Sequence, residues 1–272
     1  MLDDKFRPRV ALVLGAGSAR GLAHIGVIQV LREHHIPFDF IVGSSMGAMV
    51  GGIYAAGADI KMLDRMLENM DTNVFYDVHV PRLGFMSGKK ITSFLELMTK
   101  KKSFAELDLP LLTVATDLLS GERVVLEEGS VAEAIRASIS IPGIFTPVQQ
   151  EGMILVDGAV VDRLPIEVAR SRGADLIIAV DVTFGPGKNV SIVNTMDVIM
   201  ASLDIMGKQH FDLVHPGADI LIQPAVGSFQ PGDFDKSRQI VDQGRIATEQ
   251  KIDEILEKIM AQAATKIEGF NS

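Results

Sequence analysis

Residues 10–14, Val-Ala-Leu-Val-Leu, form an unbroken apolar run that ends at Gly15. A strand covered on both faces reads this way, because neither side of its pleat needs polar residues. Residues 22–32 carry helix formers with apolar positions around most of the circumference, which predicts a largely buried helix ending before Pro37. The run 38–42 predicts a second strand, 43–47 a turn, and 46–56 a second helix closed by Gly57. The same alternation recurs at 111–115, 131–137, 154–156, 166–172 and 176–180, with 220–222 as a late strand. Such an order predicts an α/β fold, a mostly parallel central sheet with helices on both faces. Two stripes at helical spacing read as core: Ile192, Met196, Ile199, Leu203 and Met206, then Ile252, Ile255, Leu256, Ile259, Ala263 and Ile267. No repeat, low-complexity tract or long linker divides the chain. Residues 1–272 therefore read as one domain, with a helical region at about 190–272 packing on it.

Composition narrows the classes. With 47% hydrophobic residues in 272, disorder is excluded and a sizeable core is available. A net charge of -9 opposes generic binding to nucleic acid, which needs a cationic face. The absence of cysteine removes disulfides, a thiol nucleophile and thiolate metal sites, and fits a cytoplasmic location. The opening Met1-Leu2-Asp3-Asp4 lacks the basic and apolar regions of a secretory signal, and the apolar runs are too short or glycine-broken to span a bilayer.

The candidate chemistry sits in the turns. Gly43-Ser44-Ser45-Met46-Gly47 fits GxSxG between a predicted strand and a predicted helix, the context that gives this pattern meaning. A serine there is held on a sharp turn, with glycines where backbone must approach closely, at a helix amino end that favours developing negative charge. Gly15-Ala16-Gly17-Ser18-Ala19-Arg20-Gly21 lies in the first strand-to-helix turn. It fails the dinucleotide fingerprint, since Arg20 stands where glycine is required, and it lacks the GK[ST] of a Walker loop. It is instead suited to donating backbone N–H groups to an oxyanion beside Ser45, with Gly17 and Ser18 the first choices and Arg20 bracing the loop or binding substrate phosphate.

Serine needs a base within hydrogen-bond reach. Asp117, Asp157 and Asp181 each follow a predicted strand, and spacing does not choose among them; Asp157 alone precedes a glycine, Gly158, that permits an exposing turn. Among the histidines, His210 or His215 would complete a Ser-Asp-His order, although both sit in a polar stretch without a presenting glycine loop.

Together, the glycine-rich Arg20 loop, the GxSxG at Ser45 and Asp157-Gly158-Ala159 resemble the patatin-like phospholipase family over residues 10–182. Ala115-Thr116-Asp117 before Gly121-Glu122, Arg136-Ala137-Ser138 through Ile141-Pro142-Gly143, and Leu164-Pro165 resemble its bacterial branch related to neuropathy target esterase. The resemblance implies a three-layer fold and a Ser45–Asp157 dyad without histidine. It also implies an oxyanion hole drawn from Gly15, Ala16, Gly17 and Ser18, supporting roles for Arg20, Gly21, Gly43, Gly47, Gly158 and Ala159, no metal or organic cofactor, and hydrolysis of lipid acyl esters. A carboxylate serves as base only if a dry pocket raises its basicity and it lies beside the hydroxyl. The chain departs from the family pattern in its Gly-Ala-Gly-Ser loop, in DGA for DGG, and in Arg163 where asparagine is frequent. None of these removes a reacting group. A lipid-binding or regulatory protein of slight activity, and an acyltransferase on the same dyad, are the alternatives.

Two apolar segments complete the reading. Phe85, Met86, Ile91, Phe94, Leu95, Leu97 and Met98 among Lys89, Lys90, Lys100, Lys101 and Lys102 suggest either a cap that touches anionic lipid at the membrane periphery or a solvated helix over the core. Met62, Met66 and Met70 with Phe75 and Tyr76 suggest an acyl pocket or plain core.

Overall fold

The computed structural model describes residues 6–68, 77, 83–183, 192–193, 195–214 and 217–271. Strand β1 (Val10–Leu14) is central in an eight-stranded sheet. Its alternation explains the unbroken apolar run: Val10, Leu12 and Leu14 enter one core cluster, Ala11 and Val13 the other. Parallel neighbours are β2 (Phe40–Ser44) on one side and β9 (Leu176–Val180), then β10 (Ile220–Ile222), on the other; β2 in turn pairs in parallel with β4 (Leu111–Asp117). The first face is covered by α1 (Ala23–Glu33), α2 (Met46–Ala55), α5 (Val131–Ser138), α8 (Ser237–Glu249) and α9 (Ile252–Asn271), the second by α6 (Ile166–Ser171) and Phe211 of α7 (Thr195–Val214). Helix α8 lies directly across α1, where a Cβ on Gly26 would come within 2.1 Å of the Val241 carbonyl and one on Gly244 within 2.0 Å of that of Ala23. The remaining elements are α3 (Ile60–Glu68), β3 (Gly84–Met86), α4 (Lys89–Met98), β5 (Arg123–Leu126), β6 (Gly143–Phe145), β7 (Val148–Gln150) and β8 (Met153–Asp157), and β3 pairs with β6 apart from the main sheet.

Two differences from the sequence reading bear on the site. The second strand begins at Phe40, not at 38; just before it Asp39 donates its N–H to the Val10 carbonyl, and its carboxylate accepts from Val10 N–H and Arg7. The strand then runs through Gly43 and Ser44, which pair with Leu14 and Val114, so the turn falls immediately at Ser45. The run 154–156 is a strand but an antiparallel one. It enters the sheet with Leu155 opposite Asp117 and ends with Asp157 opposite Ala115. Asp157 therefore comes to the carboxyl edge of the parallel strands from above, and its register sets it beside the end of β2.

The apolar stripe at 192–206 is only partly core. Leu203 and Ile199 turn inward, while Ile192 and Met206 are exposed and Ile192 precedes the helix. The later stripe holds better, with Ile252, Ile255, Ile259 and Ala263 buried, though Leu256 and Ile267 are exposed. In α4, Ile91 and Leu95 are buried in the core, which anchors that basic segment as a helix covering the protein; Leu97 and Phe85 remain exposed. Lys100 donates to the Gly57 carbonyl, and Lys101 and Lys102 pair with Glu96 and Asp108.

Candidate active site

Ser45 sits between β2 and α2 with φ 54° and ψ -121°, a conformation that costs a non-glycine residue free energy and is retained where surrounding structure imposes it. Three contacts impose it. Its N–H donates to Ser138 Oγ at 2.9 Å, and Ser138 in turn donates to the Val114 carbonyl at 2.6 Å, which ties the turn to α5 and β4. Its carbonyl accepts from Met49 N–H inside α2. Gly47 lets the helix press onto the end of β1, since a Cβ there would stand 2.0 Å from the Leu14 carbonyl oxygen. Gly43 and Gly21 serve the same close packing, their Cβ positions falling on the Ala48 backbone and the Met46 side chain.

Ser45 Oγ donates to Asp157 Oδ2 at 2.6 Å, with both residues buried. The other oxygen, Oδ1, accepts from Ala159 N–H at 2.8 Å, which fixes the carboxylate's rotation. The chain turns away through Gly158, whose Cβ would meet the Val114 carbonyl at 2.3 Å. Burial pushes the Asp157 carboxyl up to about 6, against the hydrogen bonds from Ser45 and Ala159 and the charge of Arg163, which pull it down. The group is thus ionised at neutral pH yet far more basic than a solvated aspartate.

The other acids are engaged in ways that remove them from this chemistry. Asp117 accepts from the N–H groups of Leu119, Ser120 and Ile154 and from the Ser120 hydroxyl, bonds that hold its carboxyl below the ordinary range. Asp181 accepts from Thr183 N–H and Gln223. Both are loop braces. Among the histidines, His24 is wholly buried and its Nε2–H donates to the Gly15 carbonyl at 2.8 Å, and His34 faces Glu249. The side chain of His210, and all of His215, Met70, Phe75 and Tyr76, lie outside the described residues.

The glycine-rich loop divides by function. Gly15 N–H donates to Val180 O and Ala16 N–H to Arg163 O, so those two groups are used by the scaffold. Of the four candidates drawn from this loop, Gly15 and Ala16 thus have their N–H groups engaged elsewhere. Gly17 and Ser18 are the two that border the cavity with N–H groups donating to no backbone carbonyl of the described turns and loops. The loop is held by the Ser18 hydroxyl on the Pro231 carbonyl, by Arg20 Nε on the Phe229 carbonyl, and by Arg20 facing Asp204 of α7. Through these contacts Arg20 ties the loop to residue 229 and to α7.

His24 supplies a further prediction. Burial pushes its pKa down to about 4, so the folded protein holds it neutral while the unfolded chain protonates it near 6.5. The stability this contributes is complete above 6.5 and is lost as pH falls from 6.5 towards 4, amounting to about 3 kcal/mol at most. A His24→Gln variant should show a flatter fall in urea midpoint between pH 7 and 4.5 than the parent chain. An equal slope in both would remove His24 from the account of acid sensitivity.

A cavity of about 20 Å³ lies over the pair, lined by Gly17, Ser18, Ile141, Val160, Met200 and Leu203 among others. Its apolar wall is therefore α7 and the segment before β6, not α3, where Met62 is 60% exposed and Met66 packs on the core. The sequence reading took Leu203 as core and passed over Met200, because an apolar stripe does not say whether it faces a core or a cavity. Their signal was the irregularity of a helix carrying apolar residues on more than one side.

The family model of patatin-like phospholipases matches residues 12–170, which include the Gly15 loop, Ser45 and Asp157. The chain belongs to the patatin-like phospholipase family. Within the family it is 41% identical over 177 residues to an uncharacterized NTE family protein of Mycobacterium tuberculosis, covering 64% of this chain and 49% of that one. It is 33% identical over 181 residues to human patatin-like phospholipase domain-containing protein 6, covering 64% of this chain and 13% of that protein. The chain thus spans about half the length of the mycobacterial relatives it matches, and less of the human one. VipD from Legionella pneumophila shares the fold, with a TM-score of 0.58 at 15% identity over 91% of this chain and 67% of that one. So does human GIVD cytosolic phospholipase A2, solved with methyl gamma-linolenyl fluorophosphonate, with a TM-score of 0.53 at 12% identity over 97% of this chain and 60% of that one. Among the described residues of this family member, no helix is long and apolar enough to cross a membrane.

Proposed function

We propose that the protein hydrolyses carboxylic acyl esters of lipids through Ser45 and Asp157, in the manner of a phospholipase A, lysophospholipase or lipid esterase. The observation that carries this reading is the 2.6 Å hydrogen bond from the Ser45 hydroxyl to a buried carboxylate whose pKa is raised to about 6. Membership of a phospholipase family supports the substrate class.

In the first half-reaction Asp157 Oδ2 takes the Ser45 proton as Oγ bonds to the ester carbonyl carbon. The oxyanion that forms is met by the N–H groups of Gly17 and Ser18. Collapse expels the alcohol, which takes the proton back from Asp157 and leaves an acyl-Ser45. Water then attacks that ester, again giving its proton to Asp157, and the fatty acid departs as Ser45 recovers its hydrogen. A pKa near 6 suits both steps, since the carboxylate is ionised at pH 7 yet releases a proton readily to the leaving oxygen. No histidine is required.

Release of fatty acid from short-chain and long-chain esters, and from phosphatidylcholine vesicles, tests the proposal. Ser45→Ala should lose about a thousandfold or more of the rate on every ester hydrolysed. Joint replacement of His210 and His215 by asparagine should leave it within about threefold. Loss of activity in the histidine variant with Asp157→Asn still active would favour a Ser-His-Asp arrangement instead. Vesicle binding by a parent chain that hydrolyses no ester would favour a regulatory or lipid-binding role.

A further inference from the structure

The two N–H groups assigned to the oxyanion are aimed by what the carbonyls joined to them accept. In a trans peptide the carbonyl and the N–H of one plane point opposite ways, so holding the oxygen fixes the direction of the hydrogen. No peptide bond among the described residues is cis. For Ser18 the joined oxygen is that of Gly17, which accepts from Arg20 N–H at 3.1 Å, a contact within the loop itself. For Gly17 it is that of Ala16, which accepts from the Thr183 hydroxyl at 2.6 Å, across 167 positions of sequence. The Ala16–Gly17 plane is thus set from outside the loop.

The surroundings of Thr183 suit that task. The residue is buried, and its hydroxyl faces Arg163 Nη2 at 3.4 Å, while the same nitrogen donates to Asp204 Oδ1 at 2.9 Å. A guanidinium donates and never accepts, so beside it the threonine hydroxyl is left to donate, and Ala16 O accepts. The backbone is seated as well. Thr183 N–H donates to Asp181 Oδ1 at 2.9 Å, Asp181 Oδ2 accepts from Gln223, and Asp181 N–H donates to the Ile222 carbonyl at the end of β10. Gly17 lies directly on this segment, since a Cβ there would stand 2.4 Å from a methyl carbon of Val182. A buried carbonyl deprived of its donor turns toward another partner, and here the Gly17 N–H would turn with it.

We infer that Thr183 is a positioning residue for the reaction at Ser45: its hydroxyl, through the Ala16–Gly17 peptide, aims the Gly17 N–H at the place where the ester oxygen becomes negative. Asp181, one of the three acids at strand ends, serves the same purpose by seating Thr183. A donor aligned beforehand needs no reorganisation as charge develops, which is where such a group gains its effect. The inference rests on the hydrolase reading of Ser45 and adds to it a residue that does not touch the substrate.

The experiment follows hydrolysis of a water-soluble short-chain ester by the full chain, and its inhibition by an alkyl trifluoromethyl ketone of the same chain length. Ser45 Oγ bonds to the ketone carbon, the Ser45 proton passes to Asp157, and the carbonyl electron pair moves onto oxygen. The adduct therefore carries the oxyanion, whereas KM reflects substrate before charge develops. Thr183→Val keeps the shape and removes the donor. Its kcat should fall about tenfold to a hundredfold with KM within about twofold, and Ki for the ketone should rise by the factor that kcat/KM loses. Thr183→Ser should recover both to within about threefold, and Thr183→Cys, a weaker donor, should fall between serine and valine. Should the valine variant give no soluble protein, a higher Ki for cysteine than for serine is the expected result, and equal values would overturn the inference.

Ki does not depend on how much of a sample is folded. A fall in kcat with Ki unchanged would therefore show lost stability alone and overturn the inference. A rise in KM alone, or a serine variant as impaired as the valine one, would overturn it too. If Ser45→Ala loses turnover while Thr183→Val keeps the parent kcat and Ki, this inference falls and the hydrolase reading stands. A parent chain that turns over no ester and binds no ketone would overturn both.

Discussion

Asp157→Asn is expected to abolish turnover and, at the same time, to make the protein more stable. Loss of the base should cost about a thousandfold or more in kcat/KM, because asparagine accepts the Ser45 hydrogen bond but takes no proton. The stability gain follows from the same pKa. Folding raises the Asp157 carboxyl from 3.8 to about 6, so between those values the native state binds a proton that the unfolded chain does not. Stability contributed by the neutral acid is complete below 3.8 and is lost as pH rises through about 6, above which the folded protein carries a buried charge. That charge costs roughly 1–3 kcal/mol, and the amide avoids it. Urea unfolding at pH 7.5 should therefore show Asp157→Asn above the parent, with the difference closing as pH falls to 4. For the parent, kcat/KM should rise about tenfold per pH unit below 6 and level off above it. An inactive variant less stable than the parent at pH 7.5 would mean that Asp157 holds the loop together and does not store its energy in a reactive carboxylate.

The second large effect is expected at Gly47. A methyl group there would lie 2.0 Å from the Leu14 oxygen, 2.5 Å from its carbonyl carbon and 2.9 Å from the Gly15 oxygen, all backbone atoms of a buried strand end. No side chain can rotate to relieve the clash. The start of α2 would have to move off β1, carrying Ser45 away from both Asp157 and the Gly17–Ser18 groups. Gly47→Ala should cost about 3 kcal/mol or more and leave little soluble, active protein. Gly121→Ala is the control. Gly121 has φ +75° but nothing within 4 Å of its Cβ position, so only backbone strain of about 1 kcal/mol is expected. Equal urea midpoints for the two variants would show that the approach of α2 to β1 is not as tight as these distances state.

The legibility of the site differed from residue to residue. Ser45 was readable because its chemistry is local: a strand, a glycine-flanked turn and a helix lie within one short segment, and turn geometry is dictated by which side chains it tolerates. Asp157 was not separable from Asp117 and Asp181 on the residues alone, since all three end strands at the same edge. What separates them is which donors each carboxylate meets: Asp157 meets the Ser45 hydroxyl, Asp181 meets Thr183 N–H and Gln223. Asp117 accepts from four groups, whereas among the described residues Asp157 accepts from Ala159 N–H and Ser45. The deciding donors, Ile154 for Asp117 and Ser45 for Asp157, come from residues distant in sequence, and no spacing rule reports them.

The direction of β8 was hidden for a related reason. A short apolar strand has the same composition whether it runs up or down, and only its partner's register, with Asp157 opposite Ala115, distinguishes the two. The buried helix 22–32 was legible from its composition, but the role of His24 was not, because a histidine among apolar residues reveals burial without revealing that the Gly15 carbonyl is its acceptor. Helix α7 marks the limit of periodicity as a guide. Its apolar positions are real, yet Leu203 closes a cavity while Met206 faces outward.

The central claim is that Ser45 is a nucleophile activated by Asp157, and site-resolved labelling with a long-chain alkyl fluorophosphonate tests it most directly. Intact mass and peptide mapping should find one adduct, on Ser45, formed at a rate that rises with pH through about 6. The adduct should be absent in Ser45→Ala and form about a hundredfold or more slowly in Asp157→Asn. Labelling at another residue, or labelling of Ser45 at the parent rate without Asp157, would contradict it.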